Sequence, residues 1–320
     1  MAVSQAGTKR HLVTLDGMSA AEIDAFLIDA ERYLAPAGRP AAFPPLLAGR
    51  TVALLFFEPS TRTRCSFELA AKRLGATVVN LDTAASSAVK GESLPDTLYT
   101  LEAMHVDLFV VRHTQAGVCA DLARLAEPHV AIVNAGEGRR DHPTQGLLDA
   151  LTIKLHKPNL ARLSVAIVGD IAHSRVACST VTALRTLGVA DIRLIGPAEW
   201  LPEGEPFAGT RSCTELADGI ADADVVMALR IQKERMAAAD LPDFKSYFAR
   251  YGLTEERLSA AAPDAIVMHP GPMNRGVEIS AEVADGPQSV IREQVTNGVA
   301  VRMAVMQRLL VAQRAQTVRV

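Results

Sequence analysis

Between residues 51 and 268, eight short apolar runs alternate with segments of helical periodicity, and that order admits few folds. The runs are 51–57, 77–81, 107–112, 130–134, 164–168, 191–195, 225–229 and 265–268; helical patterns near 62–74, 93–105, 143–156 and 175–187 fall between most of them. A strand that returns through a helix lies parallel to its neighbour, and the helices cover both faces of the sheet. Two groups of four strands therefore predict an α/β chain of two doubly wound parallel-sheet domains joined by interdomain helices. The first domain is expected over 1–149 and the second over 150–289, with the boundary in or near the helix 143–156. A last pattern, 290–312, carries Val295, Val299, Met303, Met306 and Leu310 on one face and is expected to pack back on the first domain. Residues 1–18 read as a tail, and Ser19 with Glu22 forms a capping box for the helix behind it.

Composition removes several functions. The net charge is -3 and aromatics are 4% of the chain, so neither a phosphate-backbone footprint nor a base-stacking platform is expected. No apolar run reaches the roughly 18 residues of a membrane span, and the first residues lack the apolar centre of a secretory signal. Cys65, Cys119, Cys178 and Cys213 form no C-x-x-C pair, so no metal site is expected. The expectation is a cytoplasmic enzyme without metal or cofactor, bound to neither nucleic acid nor membrane.

Ligands of open parallel sheets bind beyond the carboxyl ends of the strands. Here those ends carry Glu58 to Arg64, Arg112-His113, Gly136 to Gln145, Gly169-Asp170, Arg230 to Gln232, and His269 to Pro272. This concentration of polar groups predicts a site between the two domains. The first end is the richest. Pro59 stops the strand, Ser60 suits an N-cap, and a helix start offers free N–H groups and a positive dipole end to an anion. Ser60, Thr61 and Thr63 add hydroxyls; Arg62 and Arg64 add charge. Residues two apart on a helix point about 200° apart, so one arginine faces the anion and the other pairs elsewhere. Read alone, the segment is either a phosphate grip or a capped helix with a solvated arginine pair. Neither G-x-x-x-x-G-K-[ST] nor a G-x-G-x-x-G after a strand is present.

The run from Phe56 to Glu68 resembles the carbamoyl phosphate signature of the aspartate and ornithine carbamoyltransferases. Lys90-Gly-Glu-Ser93 resembles that family's mobile loop, and His142-Pro-Thr-Gln145 its H-P-x-Q motif. Arg230 to Arg235 and His269-Pro-Gly-Pro272 resemble the amino-acid side of its aspartate members. The match runs from about residue 10 to about 310, with five motifs in order.

The resemblance implies roles. Ser60, Thr61, Arg62 and Thr63 would bind the phosphate, and Arg64 would be structural. Arg112 and His142, with Thr63, would hold the carbonyl oxygen. Gln145 and the backbone carbonyls of Pro270 and Gly271 would receive the carbamoyl NH2. Ser86 and Lys90 would reach into a neighbouring subunit, which implies a homotrimer with shared sites. Arg175, Arg230, Gln232, Lys90, Gly271 and Pro272 would bind the amino acid. Glu58 would pair with Arg175 and Arg235 to hold the domains closed, and residues 230–250 would form a lid. Arg62, Thr63, Arg112, His142 and Lys90 would act in catalysis. Position 271 is Gly where some members have Leu, and its carbonyl remains available.

Two cations on the second-domain side suit aspartate, with two carboxylates; ornithine, with a side-chain ammonium, wants an acid. Ornithine members usually show H-C-L-P where this chain has His269 to Pro272, and their acidic binding motif is missing near 230. The implied reaction is carbamoyl transfer from carbamoyl phosphate to the α-amine of L-aspartate, an early step of pyrimidine biosynthesis. A carbamoyltransferase for another amino acid such as ornithine, or a silent scaffold paralogue, is the alternative. The sequence does not distinguish a free trimer from one joined to regulatory or dihydroorotase-like chains.

Overall fold

The structure is a computed structural model and describes residues 10–34, 42–81, 92–232 and 243–317, with side chains to residue 311. The chain divides into two compact units. The first comprises Met1–Leu15, Ala25–Thr144 and Gly298–Val320; the second comprises Asp16–Asp24 and Gln145–Asn297.

The first unit contains β1 (Thr51–Phe56), β2 (Thr77–Leu81), β3 (Leu108–His113) and β4 (Ala131–Glu137), all parallel in the order β2-β1-β3-β4. Helices α2 (Thr61–Arg73), α3 (Leu94–Ala103) and α4 (Val118–Leu125) connect them. The second unit contains β5 (Ser164–Val168), β6 (Asp191–Ile195), β7 (Arg211–Cys213), β8 (Val225–Ala228) and β9 (Ile266–Met268), parallel in the order β7-β6-β5-β8-β9. Its helices are α6 (Arg175–Thr186), α7 (Leu216–Ile220), α8 (Phe244–Tyr251), α9 (Glu255–Leu258) and α10 (Ala281–Asp285). Three helices are divided between the units: α1 (Ala20–Glu31), α5 (Pro143–His156) and α11 (Ile291–Thr317).

The inner strands are apolar without alternation because helices cover both faces. Val52 to Leu55 and Leu108 to Val111 are all buried. Phe67 of α2 and Phe109 of β3 are fully buried, each contributing up to about 3 kcal/mol. Each unit ties its first strand in the same way. The Asp107 carboxylate accepts the Thr51 N–H at 2.8 Å beside Arg50, and the Asp224 carboxylate accepts the Ser164 N–H at 2.9 Å. These bonds set β1 against β3 and β5 against β8 at their amino ends, the two pairings that matter below.

Four expectations need correction. There are nine strands among the described residues, because Arg-Ser-Cys of β7 adds a polar edge strand with no apolar run to announce it. The helices α4 and α7 to α10 are eight residues or fewer and showed no extended period. Residues 10–18 are ordered by contacts rather than a tail: Leu12 pairs with Val133, Asn134 Nδ2 donates to the Val13 carbonyl, and Thr14 donates to Asp141. His11 accepts the Ile132 N–H on Nδ1, and burial and Arg10 hold its pKa down at about 4. On α11, Val299, Met303, Met306 and Leu310 are buried, but Val295 is 54% exposed. The helix is also buried at Val301, Arg302 and Val305, where Arg302 lies over the Phe67 ring, so no single stripe describes it.

No helix among the described residues is long and apolar enough to cross a membrane.

Candidate active site

In the first unit the strand order reverses between β1 and β3, since the chain winds from β1 to β2 on one side and from β3 to β4 on the other. A doubly wound sheet opens a crevice at such a point, outside the carboxyl ends. Phe56 and Arg112 are register partners there, so Arg112 stands beside the start of the segment that leads into α2. Ser60 is the N-cap of α2 with extended backbone, yet its hydroxyl makes no capping hydrogen bond. The first turn of α2 contains no acid, and Arg62 and Arg64 sit in it against the dipole. Thr61 and Arg62 are exposed while Thr63 is buried beneath them. Ser60 without a capping bond, the first-turn amides and a first turn that holds arginines and no acid are the groups gathered at this strand end.

Arg64 is exposed, with Glu68 one turn on as a nearby opposite charge. Arg112 is buried; its Nη1 donates to the Ala135 carbonyl at 3.1 Å and its Nη2 to Glu58 at 2.6 Å. The Glu58 carboxylate thus accepts from Arg112 within the first unit, and Arg235, its other expected partner, lies outside the described residues. His142, buried, directly precedes α5, and Asp141 before it accepts from Thr14 at 2.7 Å. Cys119 is also near this edge. Burial first, then the Glu137 carboxylate, push its thiol well up, so it stays a protonated packing group.

The second unit repeats the arrangement. Its order reverses between β5 and β8, with Gly169 and Asp170 after β5 and Arg230 after β8. A Cβ on Gly169 would lie 3.0 Å from the Leu229 carbonyl oxygen at a φ of +132°, so only glycine lets the strand ends approach this closely. Ser174 caps α6 by accepting the Ala177 N–H, and Arg175 is the first residue of the helix, buried, with no acid in that turn. Arg230 and Gln232 are half-buried. Each reversal thus has a serine-started helix with arginine in its first turn and a second arginine on the opposite strand end: Arg62 with Arg112, and Arg175 with Arg230.

His269 follows β9. Its Nδ1 accepts the Gly271 N–H at 2.8 Å, which leaves Nε2 to donate to Glu278 at 3.3 Å. Gly271 has a φ of +67°, free for glycine. The buried atoms Asp170 Oδ2, Glu278 Oε2, Asn274 Nδ2 and Tyr247 Oη have no hydrogen-bond partner. Burial, Glu278 and Asp170 push the Tyr247 hydroxyl far above its ordinary value, so it remains a donor. Gln145 lies in α5, where its amide donates to Asp149. Pro270 and Pro272 flank Gly271. Ser86, Lys90, Arg235 and residues 233–242 of the expected lid lie outside the described residues; the end of that lid lies in α8, with Tyr247 and Tyr251 buried.

Sequence reasoning passed over Asp149, Thr180, Glu278 and Gln294. For Asp149 a signal existed, since it lies four residues after Gln145 on one helix. The other three are brought in only by the fold.

Residues 10–155 match the family model for the aspartate/ornithine carbamoyltransferase carbamoyl-P binding domain, and residues 161–309 match that for its Asp/Orn binding domain. Aspartate transcarbamoylase from Trypanosoma cruzi, solved with carbamoyl aspartate and phosphate, is 33% identical; the alignment covers 94% of this chain and 95% of that one, with a TM-score of 0.84. Its complex with N-(phosphonacetyl)-L-aspartic acid matches equally well. Ornithine carbamoyltransferase from Pyrococcus furiosus is 29% identical over 94% of this chain and 97% of that one, with a TM-score of 0.82. The Thermus thermophilus ornithine enzyme is 27% identical over 94% and 99%, also at 0.82. The chain belongs to the aspartate/ornithine carbamoyltransferase family and is a carbamoyltransferase.

Proposed function

We propose that the chain transfers the carbamoyl group of carbamoyl phosphate to the α-amine of L-aspartate, giving N-carbamoyl-L-aspartate and phosphate, in the cytoplasm as an early step of pyrimidine biosynthesis. The observation that carries the choice of acceptor is the pair Arg175 and Arg230 flanking the β5/β8 reversal, since two cations suit two carboxylates. An ornithine acceptor would instead want an acid where Arg175 and Arg230 stand.

On this reading Ser60, Thr61, Arg62 and Thr63 hold the phosphate, and Thr63, Arg112 and His142 donate to the carbonyl oxygen. Gln145 and the carbonyls of Pro270 and Gly271 accept from the NH2. Arg175, Arg230, Gln232 and the Gly271-Pro272 segment hold aspartate. Ser86 and Lys90 come from a neighbouring chain of a homotrimer, and Glu58 and Arg235 join in domain closure. The amine attacks the carbonyl carbon, the new C–N bond forms, and negative charge collects on the carbonyl oxygen. Fixed donors there lower the barrier. The C–O bond to phosphate then breaks, and the amine proton passes to a phosphate oxygen of the substrate. No protein nucleophile, metal or cofactor enters, and holding both substrates in line supplies much of the remainder.

Titration with N-(phosphonacetyl)-L-aspartate tests whether one site takes both substrates. Binding should displace carbamoyl phosphate and be weakened at least about tenfold by either Arg62→Ala or Arg230→Ala, as loss of a charged hydrogen bond requires. Binding indifferent to Arg230 would sink the aspartate assignment.

A further inference from the structure

Asp149 is 0% exposed in the middle of α5, a position that stability alone would fill with an apolar side chain, since a buried charge costs more than it returns unless its hydrogen bonds are complete. Its bonds run to three elements. Oδ1 accepts from Gln145 Nε2 at 2.9 Å and from Gln294 Nε2 at 2.7 Å, and Oδ2 accepts from the Thr180 hydroxyl at 2.6 Å. All three partners are buried. A carboxylate is acceptor-only, so the amide nitrogens of both glutamines must turn toward it and their oxygens away. For Gln294 the far end is visible: its Oε1 accepts the His269 N–H at 3.0 Å, just before the Pro270 and Gly271 carbonyls. For Gln145 the same rule points Oε1 away from Asp149, presenting an acceptor.

We propose that Asp149 is a positioning residue: its carboxylate sets the Gln145 amide so that the oxygen meets the carbamoyl NH2, and through Gln294 it anchors the His269–Gly271 turn that offers the other acceptors. The inference rests on the reading of Gln145 given above. A glutamine free to flip could present its NH2 to the substrate NH2, donor against donor. The carboxylate removes that state.

A double-mutant cycle separates the two ideas. Asp149→Leu should lower kcat/KM for carbamoyl phosphate at least about tenfold, with a cooperative thermal transition retained. Asp149→Asn, whose Oδ1 can still accept both amides while Thr180 accepts from its NH2, should recover to within about threefold. In a Gln145→Ala background the loss from Asp149→Leu should shrink at least about threefold, because coupled residues are non-additive. If Gln145→Ala leaves kcat/KM unchanged, the reading of Gln145 fails. If Gln145→Ala is impaired but Asp149→Leu costs the same factor in both backgrounds, or nothing, the positioning role alone fails. Should Asp149→Leu not fold, a crystal structure of the unaltered chain with phosphonoacetamide decides. Gln145 must touch the ligand amide within about 3.2 Å while still bonded to Asp149, and a Gln145 rotated off Asp149 overturns the proposal.

Discussion

Arg112→Met will lower kcat for carbamoyl transfer by roughly 100- to 1,000-fold, the loss typical of removing one donor from a developing oxyanion. The residue is buried at the carboxyl end of β3, and two bonds fix its guanidinium before any substrate arrives, one to Ala135 on the adjacent strand and one to Glu58 after β1. That pre-set geometry is what makes the donor effective, because no reorganisation is needed as charge develops. The substitution also strands the Glu58 carboxylate, at a stability cost of up to about 3 kcal/mol. Thermal unfolding separates the effects. Arg112→Met with Glu58→Gln should regain most of the lost Tm and none of the lost kcat. A single variant with kcat within about threefold of the parent would remove Arg112 from the carbonyl.

Arg230→Ala will raise the KM for aspartate by about 10- to 150-fold, the range for one charged hydrogen bond, and leave carbamoyl phosphate binding within twofold or so. The two substrates are assigned to different sheets, with the anion end of α2 in the first unit and Arg230 beside the β5/β8 reversal in the second. A mutation at one reversal should therefore spare the other ligand. Initial rates at saturating carbamoyl phosphate, with separate titration of carbamoyl phosphate by calorimetry, check both halves. Equal weakening of both ligands would mean that Arg230 supports the fold and not the aspartate carboxylate.

Much of this was legible in the sequence, for a physical reason. Strands buried on both faces read as unbroken apolar runs, and β1, β3, β5 and β8 announce themselves that way. Helices α2 and α5 begin within a residue of expectation because Pro59-Ser60 and His142-Pro143 are strong local signals. Arg112 and Arg230 were visible as cations just past apolar runs. The short helices and β7 were not visible, since three to eight residues give too little period. The Glu58–Arg112 pair was not legible, because a carboxylate at a strand end has several cations within reach, and only the β1/β3 register shows that Arg112 is beside it. Thr180 and Gln294 lie far from Gln145 in sequence, so their meeting at Asp149 is a property of the fold.

The most direct measurement is kcat/KM with carbamoyl phosphate as donor and aspartate or ornithine as acceptor, with products identified. A site built for two carboxylates should favour aspartate by at least about 100-fold, because ornithine would leave a buried cation unpaired, and the product should be N-carbamoyl-aspartate with one phosphate released per turnover. Equal or better transfer to ornithine, or transfer to neither, would contradict it.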